Sequence, residues 1–302
     1  MADFTLKHLR YFESVAREAH FGRAADRCAI SQPALSMQIK ELEQILGTPL
    51  FERNPRAVSL TQFGQAFAPH AREILQAADD LSDFARASQD QLIGRLRLGV
   101  IPTVAPYMLP RMIHQLGQSH PGLDLQIRES MTPRLIQDLK DGRLDAAILA
   151  LPSAEPSLTE APLFTEDFVL VRPMIDADQP VPSSERLGEM HLLLLEEGHC
   201  FRDQALAFCN IQAARPWDGF DGSSLSTLVQ MVGAGMGVTL LPDMAVNIET
   251  RSANVAVARF TDHTPTRDIG MVWRKSNPLG AQLNKVAIAL SAPTDTQNNS
   301  VK

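Results

Sequence analysis

The chain lacks most of what would place it in an extracellular, membrane or metal-dependent class. It has only three cysteines in 302 residues, Cys28, Cys200 and Cys209, too few for a disulfide-stapled scaffold. Unbroken apolar runs such as residues 192–195 fall far short of the roughly 18 residues that a membrane helix needs. The N-terminal stretch MADFTLKHLR is mixed and has no apolar signal core, so a cytoplasmic location is expected. Structural disulfides are rare there, and a disulfide that does form is usually transient or sensing. The eight histidines show no CxxC or HExxH spacing, so neither a metal site nor a cofactor is expected. A large basic excess is also missing. The net charge is −7, which excludes a protein wholly coated in nucleic acid.

What is present fits a protein of two or three domains with a sizeable core, with 44% hydrophobic and 21% charged residues. Residues 1–60 carry eight Lys or Arg and seven Asp or Glu, a balance of +1 that leaves −8 for the rest. This small asymmetry permits a nucleic-acid face at the N-terminus. Apolar residues at helical spacing predict a helix over 5–19, broken at Phe21 and Gly22. A short helix over 23–28 follows, then a turn at Ala29 and Ile30. Ser31 is a good N-cap and Pro33 suits a first turn, so a third helix is expected from there to Leu46, ending at Gly47. Leu35, Ile39, Leu42 and Leu46 form its buried stripe; Gln32, Ser36, Gln38 and Lys40 lie opposite. Helix, tight turn, helix with such a polar face is the geometry of a recognition helix in the major groove. An ordinary amphipathic helix with a solvated face fits the same pattern.

Residues 47–64 place Arg53 and Arg56 between short apolar segments, as in a β-hairpin wing whose arginines reach the DNA backbone. A long helix over 61–88 then carries Phe67, Ala71, Ile74, Ala78, Leu81 and Ala85 in steps of four and three. That is an a/d seam, and it predicts a dimerisation helix. From Arg95 onward strands and helices alternate, with strands at 96–100, 123–128 and 146–149 and helices at 105–118 and 132–140. This βαβαβ order implies a parallel sheet. A second such unit is expected from strands near 168–172 and 192–196, helix 202–210, strand 215–220, helix 224–234 and strand 238–241, closed by strand 269–273 and helix 277–290. Together these predict two sheets in two lobes, with Thr103, Thr132 and Cys200 at the strand ends where such folds bind ligands. The tail 293–302 is polar. The implied division is 1–60 for the DNA-binding domain, 61–90 for the linker helix and 91–302 for an effector domain. Lobe I of that domain comprises 91–164 and 267–302, and lobe II comprises 165–266.

The segment EEGHCFRDQALAFCN, residues 196–210, holds two of the three cysteines. The thiolate is the reactive form of cysteine, and cationic neighbours favour it; His199 and Arg202 could serve Cys200 in this way. Cys209 sits in a more apolar run. Nine residues of helix rise about 13.5 Å, while a disulfide needs Cα atoms within roughly 7 Å. The pair can therefore be helical or bridged, but hardly both, which suits a redox switch. Two buried structural cysteines would fit the spacing equally well. A thiol peroxidase or a Cys-His hydrolase is disfavoured, because adjacent residues point apart and no other activating base is evident. Cys28, on the short second helix, carries no expected redox role.

The segments AADRCAISQPALSMQIKELEQILGTPLFER, SLTQFG, DGRLDAAI and MVGAGMGVTLLP together resemble the LysR-type transcriptional regulators over essentially the whole chain. IPTVAPYMLP and LLLLEEGHCFRDQALAFC are similar to the peroxide-sensing OxyR members. The resemblance implies a winged helix-turn-helix, a linker helix and a two-lobed α/β effector domain like that of periplasmic binding proteins. It implies a DNA-binding activator rather than an enzyme, assembled as a homo-oligomer, a dimer of dimers. The implied partners are operator DNA, hydrogen peroxide, RNA polymerase and a thiol reductant such as glutaredoxin or thioredoxin. By the same resemblance Cys200 is the peroxidatic cysteine and Cys209 the resolving one. Thr103, Thr132, His199 and Arg267 line the peroxide site, with Asp203 a nearby polar support. Ser31, Gln32, Pro33, Ser36, Gln38, Lys40, Arg53 and Arg56 face DNA. One position departs: relatives carry a histidine four residues before the second threonine, where this chain has Arg128, a side chain unable to accept a hydrogen bond. A LysR-type regulator answering to a small organic effector, its cysteines incidental, is the alternative reading.

Overall fold

A computed structural model describes residues 3–54, 57–87, 92–209, 222–261 and 263–291. The chain divides into two compact units, residues 1–88 and 89–302. In the first, a capping box starts α1 (Leu6–Glu18): Thr5 Oγ1 accepts from the His8 N–H while His8 Nδ1 accepts from the Thr5 N–H. α2 (Phe21–Arg27) begins earlier than the sequence suggests. Phe21 and Gly22 open it instead of breaking the chain, because His20 Nδ1 accepts from the N–H groups of Gly22 and Arg23 and so supplies a cap. α3 (Gln32–Leu46) is capped by Ser31 Oγ, accepting from the Ala34 N–H, and ends at Gly47 in the left-handed region. Such a cap contributes about 1 kcal/mol. Leu35, Ile39 and Leu42 of α3 are fully buried against Leu9, Phe12, Val15, Ala24 and Ala25. β1 (Phe51–Asn54) and β2 (Ala57–Leu60) form the expected antiparallel hairpin.

α4 (Gln62–Ala87) is the expected long helix, but its seam is divided. Phe67 packs edge-on against Phe12 at 5.1 Å, and Ala71 is fully buried. Both belong to the core of this unit, because α1 lies along the first half of α4 and needs an apolar cover. The large apolar residues left exposed on α4 are Phe63, Ile74, Leu81 and Phe84.

In the second unit, β3 (Gly94–Val100), α5 (Ala105–Ser119), β4 (Leu123–Glu129), α6 (Thr132–Lys140) and β5 (Ala146–Leu151) follow one another as expected. β3 lies between β4 and β5, parallel to both. Beyond them come β6 (Leu158–Pro173), α7 (Ser184–Glu189), α8 (Cys200–Phe208), α9 (Leu225–Gly233) and β7 (Thr239–Pro242). α10 (Asp243–Glu249), β8 (Val255–Arg259), β9 (Thr266–Arg274) and α11 (Gly280–Ser291) complete the order. The strands form one seven-stranded sheet in the order β4-β3-β5-β9-β6-β7, with β8 also paired to β6. The expectation of two separate sheets is thus corrected. β6 is 16 residues long; its first part pairs with β9 and its last part with β7 and β8, all antiparallel. The strand expected at 192–196 is reduced to two isolated parallel bridges, Leu192 to Val238 and Leu195 to Gly222. The strand expected at 215–220 and the tail 293–302 lie outside the described residues. A second core gathers Phe168, Leu170, Leu195, Phe201, Leu228 and Leu240 around the far end of β6.

Candidate functional site

Thr103, Thr132 and Cys200 stand at or just before the starts of helices, while Arg267 lies in β9. Thr103 follows β3, and Thr132 opens α6 after β4, so both sit beyond the carboxyl ends of neighbouring parallel strands. His199 is the N-cap of α8 and Cys200 is its first residue. The unpaired N–H groups of a helix's first turn carry partial positive charge and favour an anionic group. Gly198 leads into this turn at φ 94°, and a methyl added there would come within 2.9 Å of Met131 Sδ. Met131 is the N-cap of α6. The start of α6, with Thr132, therefore lies against the turn that carries His199 and Cys200.

Thr103 is fixed from the other side. Arg267 Nη1 donates to Thr103 Oγ1 at 2.8 Å and Nη2 donates to its carbonyl at 3.0 Å. Glu166 Oε1 accepts from Arg267 Nε at 2.7 Å and lies 2.6 Å from Nη2. Glu166 Oε2 accepts from the Met244 N–H at 3.3 Å. The rings of Phe168 and Phe201 lie 5.9 and 5.8 Å from the guanidinium carbon, within cation–π range. Phe201 is the neighbour of Cys200, so one packed group joins Thr103, Arg267 and the start of α8. Glu166 was not among the expected residues. It stands between Thr165 and Asp167, so no local pattern in the sequence singles it out.

Among the described residues, the buried Thr132 Oγ1 and His199 Nε2 have no hydrogen-bond partner, and neither has Gln204 Oε1 further along α8. A buried polar group left unpaired costs on the order of 1–3 kcal/mol, so two such atoms in neighbouring turns mark a place for a small polar ligand. Burial pushes the His199 pKa below its ordinary 6.5, against a smaller opposite pull from Glu196. Burial therefore disfavours the charged ring, which weighs against the expectation that it acts as a cationic neighbour of Cys200. Arg202 Nη1 donates to the Leu195 carbonyl at 2.7 Å. Asp203 is exposed on α8 and so stands outside the enclosed group it was expected to support. Cys209, the C-cap of α8, is buried, and burial pushes its thiol up to about 11. Arg128 points its Nη1 at the buried Asp138 carboxylate, 3.0 Å away, a group that also pairs with Arg134 and Arg143.

In the first unit Gln32, Pro33 and Lys40 are exposed at the start and along one face of α3. Ser31 is exposed as well, its oxygen taken up in the cap. Ser36 and Gln38 are half-buried, and Gln38 Nε2 donates to Glu41 Oε2 at 2.9 Å. Arg53 lies in the wing and pairs with Val58 in the strand register; its side chain and the whole of Arg56 lie outside the described residues. A cavity of about 520 Å³ opens between α5, β6 and α10 and is lined by Tyr107, Arg111, Phe164, Glu166 and Asp243 among others. None of Thr103, Thr132, His199 or Cys200 lines it.

Residues 6–65 match the family model of the lysR-family bacterial regulatory helix-turn-helix protein, and residues 89–291 match that of the LysR substrate binding domain. The chain is 43% identical over 291 residues to a probable hydrogen peroxide-inducible genes activator of Streptomyces viridosporus, covering 95% of this chain and 93% of the relative. It is similar to the structure of a full-length OxyR variant from Pseudomonas aeruginosa, with a TM-score of 0.75, 38% identity and coverage of 96% and 95%. It is also similar to a peroxide-bound OxyR mutant of Corynebacterium glutamicum, with a TM-score of 0.66, 37% identity and coverage of 95% and 91%.

Proposed function

We propose that this chain, which belongs to the LysR family of bacterial helix-turn-helix regulators and to its OxyR branch, activates oxidative-stress genes in response to hydrogen peroxide through its own cysteines. The observation that carries this reading is the pair of open, buried polar atoms, Thr132 Oγ1 and His199 Nε2, beside a thiol at the start of a helix. Peroxide is small, uncharged, and both donor and acceptor. It can satisfy a hydroxyl and an imidazole together, which a bulky organic effector cannot do in so enclosed a place. The peroxide-bound relative supports the same reading.

The chemistry needs no group beyond the chain and its substrate. Cys200 loses its proton and its thiolate attacks one peroxide oxygen. An S–O bond forms, the O–O bond breaks, and the other oxygen leaves as hydroxide, taking up a proton to become water. The sulfur is oxidised by two electrons to a sulfenic acid. Cys209 then attacks that sulfur, the S–S bond forms, and a second water leaves. Burial keeps the Cys209 thiol protonated, so it is held back until α8 opens and brings it to Cys200. A thiol reductant restores both thiols by exchange. The bond remodels the segment around 200–220, and through paired effector units changes how two heads sit on the operator. Two heads meet DNA through Gln32, Ser36 and Lys40, with Ser31 at phosphate and Gln38, Pro33, Arg53 and Arg56 alongside. A homo-oligomer of paired dimers and contact with RNA polymerase complete the reading.

The organic-effector alternative has one observation in its favour, the cavity beside α5, which Glu166 also lines. Footprinting of the operator with and without peroxide decides between them. A footprint that changes with peroxide in the wild type, and not in Cys200→Ser, is expected; one that ignores peroxide in both overturns the proposal.

A further inference from the structure

We infer that Glu166 is a positioning residue for the peroxide step: it fixes the Arg267 guanidinium, and Arg267 in turn commits the Thr103 oxygen to accepting, which leaves the Thr103 hydrogen for the oxygen that departs. The inference rests on the peroxide reading above. Glu166 and Arg267 face each other directly across β6 and β9. Glu166 Oε1 holds both Nε and Nη2 of Arg267, while Oε2 is anchored by the Met244 N–H at the start of α10. The guanidinium is buried, its two phenylalanines lie against it, and its Nη1 and Nη2 reach Thr103.

Arginine has donors and no acceptor. Its bond to Thr103 Oγ1 can therefore run in one direction only, and the threonine hydrogen is free for another acceptor. As the O–O bond breaks, negative charge gathers on the departing oxygen, and a fixed hydroxyl donor stabilises it. Without the Glu166 carboxylate, Arg267 would be a buried cation with no counter-ion. Its Nε and one Nη2 proton would lose their acceptor, and the guanidinium would turn toward whatever oxygen it could reach. Glu166 thus acts on Thr103 through Arg267, without touching peroxide or sulfur.

The test uses the full chain carrying Cys209→Ser, so that oxidation stops at the sulfenic acid. Two rates at Cys200 are compared: dimedone-trapped sulfenic acid formation with hydrogen peroxide, and alkylation by iodoacetamide, which uses the same thiolate but has no departing oxygen to stabilise. Glu166→Gln should slow the peroxide reaction roughly 100-fold, the scale of misplacing one reacting group, and leave alkylation unchanged. Glu166→Asp, which keeps the charge but withdraws the carboxylate, should recover part of the rate. In a Thr103→Val background Glu166→Gln should add no further loss. A wild-type peroxide rate in Glu166→Gln overturns the inference; so does a parallel loss of both rates, or a loss that adds to that of Thr103→Val. Should Glu166→Gln fail to fold, Glu166→Asp decides: a slowed peroxide reaction with normal alkylation supports the inference, and a wild-type rate overturns it. A parent protein that forms no sulfenic acid at all would instead refute the peroxide reading itself.

Discussion

Cys200 is the first residue of α8 and Cys209 is its C-cap, so the two thiols stand at opposite ends of one helix. That separation, about 13.5 Å of rise, cannot coexist with a disulfide, whose Cα atoms lie within roughly 7 Å. Forming the bond must therefore dismantle the helix. Amide hydrogen exchange followed by mass spectrometry is expected to change most across residues 200–220 on oxidation and to stay the same across β3. Exchange that is identical in the reduced and oxidised proteins over 200–209 would show that α8 survives the bond.

The buried His199 makes stability depend on pH in a definite direction. Its folded-state pKa lies below the ordinary 6.5 because burial disfavours the charged ring. Below about pH 6.5 the unfolded chain binds the proton and the folded one resists it. The contribution is thus present above that value and lost as the pH falls toward the folded pKa. The melting temperature of the wild type should drop on acidification through this range, and His199→Asn should flatten that component. An equal acid-dependent drop in the variant would assign it to other groups.

The exposed part of the α4 seam should hold two chains together. Leu81 and Phe84 are 72% and 70% exposed, a large apolar expanse for one helix face. Leu81→Asp or Phe84→Asp would place a charge in a paired seam, where burying it is costly. Sedimentation of either variant at low micromolar concentration should give monomers with a folded head. A retained dimer would move the interface elsewhere. Phe67→Ala, by contrast, should destabilise the head itself.

The residues of α3 divide by what already holds them. Gln32→Ala should weaken binding to the specific operator by about 1–3 kcal/mol and leave random duplex binding unchanged, as loss of a base contact does. Lys40→Ala should weaken both alike and lower the salt slope. Gln38→Ala should do less than Gln32→Ala, since Glu41 already engages that amide. Anisotropy titrations over a range of salt, with specific and random duplexes, measure all three. Equal losses on both duplexes for Gln32→Ala would remove it from the base-reading face.

Much of this was legible in the sequence, and the losses have physical causes. α3 was readable from Ser31, Pro33 and Gly47 because a cap, a first-turn proline and a left-handed stop are local devices. α6 was readable over its whole length for the same reason of strong periodicity. α7 and α10 went unseen because six or seven residues show little helical period; α2, equally short, was legible only between its two flanking helices. The single sheet was hidden because β6 pairs its two halves with different partners, a fact of long-range topology that no local pattern carries. Phe67 and Ala71 matched the seam spacing equally well but belong to the core, since spacing does not say which neighbour covers a face. At the site, Thr103, Thr132 and Cys200 were placed at strand ends and His199 beside Cys200 from the residues themselves, and their peroxide roles came through resemblance. The lowered pKa of His199 and the exposure of Asp203 depend on burial, and Glu166 on a cross-strand partner 101 residues away.

The central claim, that Cys200 reacts with peroxide and Cys209 resolves the product, is tested most directly by thiol trapping. Purified wild type, Cys200→Ser and Cys209→Ser proteins are titrated with hydrogen peroxide, labelled with dimedone and iodoacetamide, and read by mass spectrometry. The wild type should form a Cys200–Cys209 disulfide and leave Cys28 alkylated. Cys209→Ser should stop at a dimedone adduct on Cys200, and Cys200→Ser should leave Cys209 a free thiol. Oxidation of Cys209 in the absence of Cys200, or a wild type that keeps all three thiols through the titration, would contradict the account.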